Sequence, residues 1–317
     1  MKKTLIAAAT LALVAACGGG GGSTTTATST TTTPVVPVSV ISTANYQEVS
    51  NASAASVADV GSSSSLSKIA DASASGDTGA GAQAISTYEL AQAALAQVGA
   101  TSWLERAQVV SAQTVSCGYT GTGTVSVNDA NNNNLMDGGD SATISYNNCS
   151  FAAGQAPISG SMTLNITSVT RSGNTITGGV FGFTFNNMTS ASSTLNGAVN
   201  MSFTSNQATL AYSNFTSVRK GKSSTYGYTA VVTTSGSNTS LTINGPITVS
   251  AGAFTLQTIT PMAYSGVYPT AGLIRATDSA GNRADITPAG TQFSVSFYPA
   301  GSTIASATYT AAWSSIL

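Results

Sequence analysis

Histidine is absent from this 317-residue chain, and charge is scarce: Lys, Arg, Asp and Glu together make up 7% of it. Ordinary soluble proteins carry about 25%. Without histidine the Ser-His-Asp and Cys-His nucleophile systems and the usual zinc sites are excluded. The net charge is −1, and the only local basic run is Arg219-Lys220 with Lys222, which reads as a solvated hairpin tip. Such a chain has no field to draw nucleic acid, so no nucleic-acid partner is expected. The polar surface must come from Ser, Thr, Asn and Gln, as is common in exported β proteins.

The remaining fragments of enzyme chemistry are weak. Ser65-x-x-Lys68 lies in a serine run and Ser217-x-x-Lys220 at an expected turn, so neither has the setting of a Ser/Lys nucleophile. Gly221-Lys222-Ser223 lacks the upstream glycine of a phosphate loop, because Thr216 takes that place. Asp278 and Asp285 could pair for glycoside chemistry, with nothing else to support them. A non-enzymatic protein is expected.

The N-terminus is more informative. Met1-Lys2-Lys3 is a positive head, and the twelve residues from Leu5 to Ala16 are uncharged and mostly apolar. That length suits the hydrophobic region of a secretory signal and falls short of the ~20 residues a membrane-crossing helix needs. Val14-Ala15-Ala16-Cys17 matches the lipobox of bacterial lipoproteins in all four places. That resemblance implies removal of residues 1–16, attachment of a diacylglycerol to the Cys17 thiol, and acylation of its freed amine, typically by palmitate. Two or more acyl chains, at about 0.8 kcal/mol per buried methylene, make a stable anchor. Residues 17–43 form a Gly/Ser/Thr/Pro tether that buries nothing. Gly18 stands where an aspartate would signal inner-membrane retention, so an outer-membrane anchor is expected, facing the periplasm or the cell surface.

Residues 44–115 are rich in Ala and Ser. A helix is predicted from about Ala82 to Val98 with Gly99 as its stop, and a shorter one near Trp103 to Val110. Trp103 and Leu104 are expected to dock this lead-in on a β domain that begins near residue 116. There the texture changes to period-two alternation: Val125, Val127; Ile144, Tyr146; Met162, Leu164, Ile166; Phe181, Phe183, Phe185; and further runs to Phe293, Val295, Phe297. Turn signals separate them, among them Ser172-Gly173-Asn174, Asn196-Gly197, Asn244-Gly245-Pro246 and Gly281-Asn282. About twelve to fourteen antiparallel strands result. The expected fold is mainly β, a large antiparallel curled sheet or half-barrel over a short N-terminal helical segment, with a two-sheet β-sandwich as the alternative.

Once Cys17 is lipidated, Cys117 and Cys149 are the remaining cysteines. In an oxidising compartment they have one intramolecular pairing, and closing a loop of this length is worth roughly 3–4 kcal/mol. Two buried thiols are the alternative.

Between these cysteines lies one stretch with chemistry, residues 129–140. Numbered from Asp129, oxygen side chains fall at positions 1, 3, 5, 9 and 12: Asp129, Asn131, Asn133, Asp137 and Asp140, with the Leu135 carbonyl at position 7. That is the ligand spacing of an EF-hand calcium loop. Asn134 replaces the glycine of position 6, and Asp140 is shorter than the usual glutamate. Weak, structural calcium is one expectation. An Asn-rich loop that satisfies its own backbone is the other.

The lipobox, the tether, the unit from Cys117 through the Asp/Asn loop to Asn147-Asn148-Cys149, and the late Tyr268-Pro269-Thr270-Ala271-Gly272 segment together resemble a group of proteobacterial outer-membrane lipoproteins. The group has no assigned activity, so the resemblance implies location and fold class only. Two functions are expected of such a domain: structural or adhesive binding, or carriage of lipid or another apolar ligand. Phe181, Phe183, Phe185, Phe203, Tyr212 and Phe215 are the candidate cavity lining for the second.

Overall fold

The computed structural model describes residues 39–60, 86–99, 112–117, 119–150, 156–172, 175–191, 193–235, 238–264 and 268–316. Cys17, residues 17–38 of the tether, Trp103 and Leu104 lie outside the described residues. The expected tether runs too far: Ile41 is buried and donates its N–H to Asp278, so the chain is already part of the domain before residue 44. Among the described residues are two α-helices, α1 (Tyr46–Val60) and α2 (Thr87–Gly99). The second overlaps the predicted helix, whereas the first lies in a segment whose composition alone suggested little more than a lead-in.

Helix α1 begins in a reciprocal cap. The Ser42 carbonyl accepts the Tyr46 N–H at 2.9 Å, and the Asn45 side chain reaches back to the Ser42 N–H at 2.8 Å. Ten of its fifteen residues are buried, and half of these are Ser and Ala. Small side chains let the helix backbone approach a sheet closely. Two of the buried hydroxyls are satisfied within the helix, Ser53 donating to the Val49 carbonyl and Ser56 to that of Ser53, each at 2.7 Å.

The described strands run in order as β1 (Gln113–Ser116), β2 (Thr120–Asn128), β3 (Ser141–Ser150), β4 (Ile158–Ser172), β5 (Thr175–Ser190), β6 (Ser193–Phe203) and β7 (Gln207–Arg219). They continue as β8 (Lys222–Tyr226), β9 (Thr229–Ser235), β10 (Asn238–Val249), β11 (Gly252–Tyr264), β12 (Pro269–Thr277), β13 (Arg283–Ala289), β14 (Gln292–Tyr298) and β15 (Ala307–Ala312). All fifteen form one antiparallel sheet, open at β1 and β15. This excludes the two-sheet sandwich. Strands β8 and β9 share the slot between β7 and β10, two halves of a strand broken at Gly227-Tyr228. That break accounts for one strand beyond the number expected.

The sheet curls around α1. Asn51 and Asp59 stand about 12 Å apart along the helix. Their partners, Tyr309 in β15 and Arg219 in β7, are seven strand steps apart, about 34 Å if the sheet were flat. Only a concave sheet brings both to one short helix.

Its curvature has a local cause. Three alternate strands carry the same segment at corresponding places: Tyr146-Asn147-Asn148-Cys149 in β3, Phe185-Asn186-Asn187-Met188 in β5 and Tyr212-Ser213-Asn214-Phe215 in β7. In each, the third residue is an asparagine in the left-handed region, with φ of 48°. The pairing register shifts there or directly opposite, the mark of a β-bulge. One extra residue would turn every later side chain outward. Here it resets the alternation, so that Tyr146 and Cys149, Phe185 and Met188, and Tyr212 and Phe215 all point into the core. Asparagine tolerates this conformation better than most residues. The freed N–H of Asn187 is donated to the Asn196 side chain at 2.6 Å, and that of Asn148 to Ser159 Oγ at 3.0 Å.

Asn196-Gly197 and Asn244-Gly245-Pro246, expected as turns, instead lie inside β6 and β10. Gly197 faces the Asn214 bulge with φ of 112°, and a Cβ there would sit 2.8 Å from the Asn214 carbonyl oxygen. Replacing Gly197 by Ala is expected to destabilise the domain by roughly 2 kcal/mol. Urea denaturation checks this, and a change under about 0.5 kcal/mol would show that the bulge relaxes freely.

Candidate functional site

Cys117 and Cys149 are joined by a disulfide, with Cα atoms 5.4 Å apart. It ties the base of the β2–β3 hairpin beside the Asn148 bulge. The Asp/Asn loop forms the opposite end of that hairpin.

In the loop the predicted oxygens are drawn into one knot. Asp129 accepts the backbone N–H of Asn134 at 2.7 Å and of Asn133 at 3.3 Å. The Asn131 side-chain oxygen accepts the Asn133 N–H at 3.0 Å, and that of Asn133 accepts the Leu135 N–H at 2.8 Å. Successive turns of this kind set Asp129, Asn131 and Asn133 on one side of the chain. Asp137 receives the amide groups of both Asn131 (3.0 Å) and Asn133 (2.6 Å). Asn134 adopts φ of 60°, so asparagine does at position 6 what glycine was expected to do. Met136 is fully buried and anchors the loop, while the Leu135 side chain is exposed.

Asp140 behaves differently from a peripheral ligand. It is buried, and its two oxygens accept the N–H groups of Ala130 (2.8 Å) and Asp137 (2.7 Å), closing the loop from within. The Arg171 guanidinium donates to the Met136 carbonyl at 2.7 Å and adds one positive charge at the rim. The loop therefore satisfies much of its own backbone. Among the described residues no three His, Cys, Asp or Glu side chains close on one point, so an ion here would draw on the two asparagines and on backbone oxygen.

The side-chain spacing is near what a calcium ion requires, though the close contacts present are amide-to-carboxylate hydrogen bonds. Ligand oxygens held 2.3–2.6 Å from one ion lie about 3 Å from each other. The Asn131–Asp137 and Asn133–Asp137 contacts have that separation. A half-turn of each amide would put oxygen in place of nitrogen there, at the expense of the bonds these amides accept from the Asn133 and Leu135 N–H groups.

The candidate cavity residues occupy the inner face of β5, β6 and β7. All six are buried, and their rings touch one another: Phe181 with Phe183 and Phe203, Phe183 with Phe185, and Phe215 with both Phe185 and Tyr212. Asp278 and Asp285, the two acids considered for glycoside chemistry, have separate partners. Asp285 accepts a two-pronged hydrogen bond from Arg275 on the neighbouring strand. Asp278 takes the N–H groups of Ile41, Ala280 and Asn282.

A constellation not anticipated from the sequence lies at the far end of α1. The Asp59 carboxylate is sealed from solvent. One of its oxygens accepts Arg219 Nε at 2.6 Å and also Arg219 Nη2, and the other accepts the Tyr226 hydroxyl. The Asp59 carbonyl accepts the Thr87 hydroxyl at 2.8 Å, and the Tyr212 hydroxyl lies against Thr87 in turn. Tyr228 donates to the Ser56 carbonyl at 3.2 Å. Arg219 is thus no hairpin-tip residue. It is 5% exposed and holds β7 to α1. Burial opposes its charge, but the Asp59 carboxylate and its hydrogen bonds outweigh this and raise the guanidinium pKa. Burial, and then the Asp59 charge, push the Tyr226 hydroxyl well above the ordinary tyrosine value, keeping it a neutral donor.

No family model, curated protein or solved structure matches the chain. What the site does therefore rests on its own residues.

Removing one partner of a buried pair leaves the other charge unpaired. Asp59→Asn is expected to cost about 3 kcal/mol in urea denaturation, and Asp59→Asn combined with Arg219→Met less than Arg219→Met alone plus Asp59→Asn alone. Strict additivity would mean that the two side chains are not coupled.

Proposed function

We propose that this chain is an outer-membrane lipoprotein, anchored through lipid on Cys17, whose β domain makes non-enzymatic structural or adhesive contacts in the envelope. The lipobox and the tether support the anchor. No described helix is long and apolar enough to cross a membrane. The observation that carries the functional part is the close packing of the apolar inner face over β5, β6 and β7, where the candidate cavity was expected. Helix α1 lies in the concavity and the aromatic rings there pack on one another, which leaves the Ser/Thr/Asn-rich outer face as the broad surface on offer. The alternative, a carrier of lipid or another apolar ligand, would need that space open.

Fractionation and surface digestion of intact cells test the reading. The chain is expected in the outer-membrane fraction, Cys17→Ala is expected to release it, and protease added outside is expected to cut it. A wild-type chain found wholly soluble would overturn the anchor, and one untouched by external protease would overturn adhesion at the cell surface.

Calcium belongs to this proposal as a weak structural ion of the β2–β3 loop, held by Asp129, Asn131, Asn133, the Leu135 carbonyl and Asp137, with Asp140 bracing the loop behind them. Bound there, it would replace the internal amide–carboxylate contacts by stronger ones. For a dissociation constant near 10⁻³ M, about 10 mM calcium adds roughly 1.4 kcal/mol, or roughly 2–4 °C in the melting temperature of a domain this size. Asp129→Asn is expected to abolish that response. An unchanged melting curve for the wild type at about 10 mM would remove calcium from the account.

A further inference from the structure

A cleft of about 430 Å³ opens between the first turns of α1 and the β7–β8 hairpin, in the size range of small-molecule sites. One stripe of the helix forms its first wall, with Gln47 and Glu48 adjacent and Asn51 one turn further on. Arg219, Lys220 and Lys222 form the second. The chain has 10 Lys and Arg in all, and three of them meet at this one place. Elsewhere among the described residues the cations are engaged: Arg275 with Asp285, Arg283 with Asp285 and the Tyr298 ring, and Arg171 with the Met136 carbonyl.

The three cations of the cleft are not equally committed. Lys220, held in the left-handed region of a two-residue turn with Gly221, donates to the Ser314 and Ser315 carbonyls at 3.0 Å. Arg219 spends Nε and Nη2 on Asp59, but its Nη1 is buried with no hydrogen-bond partner. A buried guanidinium N–H left without an acceptor is costly, and this side chain forms part of the cleft wall. The Lys222 side chain is exposed and makes no ion pair or hydrogen bond among the described residues. Against these stand two carboxylates: Asp59, already paired with Arg219, and Glu48, which accepts the Ser250 hydroxyl, so one positive charge is left over. Asn51 uses its oxygen on the Tyr309 hydroxyl, so its N–H groups remain to donate. The wall therefore offers donors and positive charge in excess of acceptors.

We propose that this cleft binds a small organic anion, a carboxylate or phosphate borne on a molecule no larger than a sugar. Lys222 holds the anionic group, the buried Arg219 adds positive charge behind it, and Gln47 and Asn51 hold neutral polar groups beside it. The site stands apart from the outer face invoked for envelope contact and does not depend on where the chain is anchored.

The test is calorimetric titration of the purified full chain with inorganic phosphate, D-glucuronate and, as the neutral counterpart, D-glucose, at matched ionic strength. At least one of the two anions is expected to bind with a millimolar or tighter constant, and glucose at least about tenfold more weakly. Which anion wins tells phosphate from carboxylate as the preferred group. Lys222→Gln, on an exposed turn, is expected to keep the wild-type melting temperature and to weaken anion binding about fivefold or more. Asn51→Ala supplies a second variant on the other wall and is expected to weaken glucuronate more than phosphate. No heat from either anion up to about 50 mM, equal binding of glucose and glucuronate, or affinity unaltered in Lys222→Gln would each overturn the proposal.

Discussion

A carboxylate shut away at the wrong end of a helix sets the terms for the rest of this domain. Asp59 sits in the last turn of α1, where the helix dipole disfavours negative charge, and it has no access to water. It is tolerable only because Arg219 and Tyr226 converge on it, while the Thr87 hydroxyl takes up the Asp59 main-chain carbonyl. Desolvation of both charges offsets most of the attraction between them. The pair therefore contributes more to position than to net stability. It fixes which strands α1 meets and at what depth, and α2 takes its place from the same residue.

That depth matters because α1 is thin. A helix faced with serine and alanine covers a sheet only if the sheet comes to it, and the bulges at Asn148, Asn187 and Asn214 supply the bend. Curvature and helix composition are thus two halves of one solution. Larger side chains on α1 would need a flatter sheet, and a flatter sheet could not bring Tyr309 and Arg219 to the same helix.

Most of the sheet was legible from period-two alternation, since strands with one wet face write their pattern directly. The disulfide was legible as the one pairing open to two cysteines in a chain expected to be exported. Three features were hidden for physical reasons. Helix α1 buries small residues, whose burial depends on closeness and leaves no apolar stripe. Asn196-Gly197 carries the chemistry of a turn because a bulge uses the same left-handed conformation, and only the recurrence of Tyr/Phe-x-Asn-apolar at 146–149, 185–188 and 212–215 separates the two. Arg219 looked like a solvated tip because its partner lies 160 residues away. In the Asp/Asn loop the converging side chains were legible from spacing, but the inward role of Asp140 depends on backbone N–H groups that spacing does not reveal.

Neighbouring strands pair almost entirely in chain order, so the sheet can be laid down hairpin by hairpin with little loop-closure entropy to overcome. The helix obeys a different clock. Tyr46 packs on Phe297 and Tyr309, and Asn51 bonds to Tyr309, 258 residues downstream. Among the first described residues to be made, α1 acquires these contacts only when nearly the last have arrived. Alone it is a short, weakly amphipathic segment below the length at which isolated helices persist in water, and until these contacts form its first turns leave part of the sheet's apolar face uncovered. The far end of α1 has its partners once Arg219, Tyr226 and Tyr228 are made, whereas its first turns wait for Phe297 and Tyr309, so a chain stopped short of β14 would hold the helix at one end only.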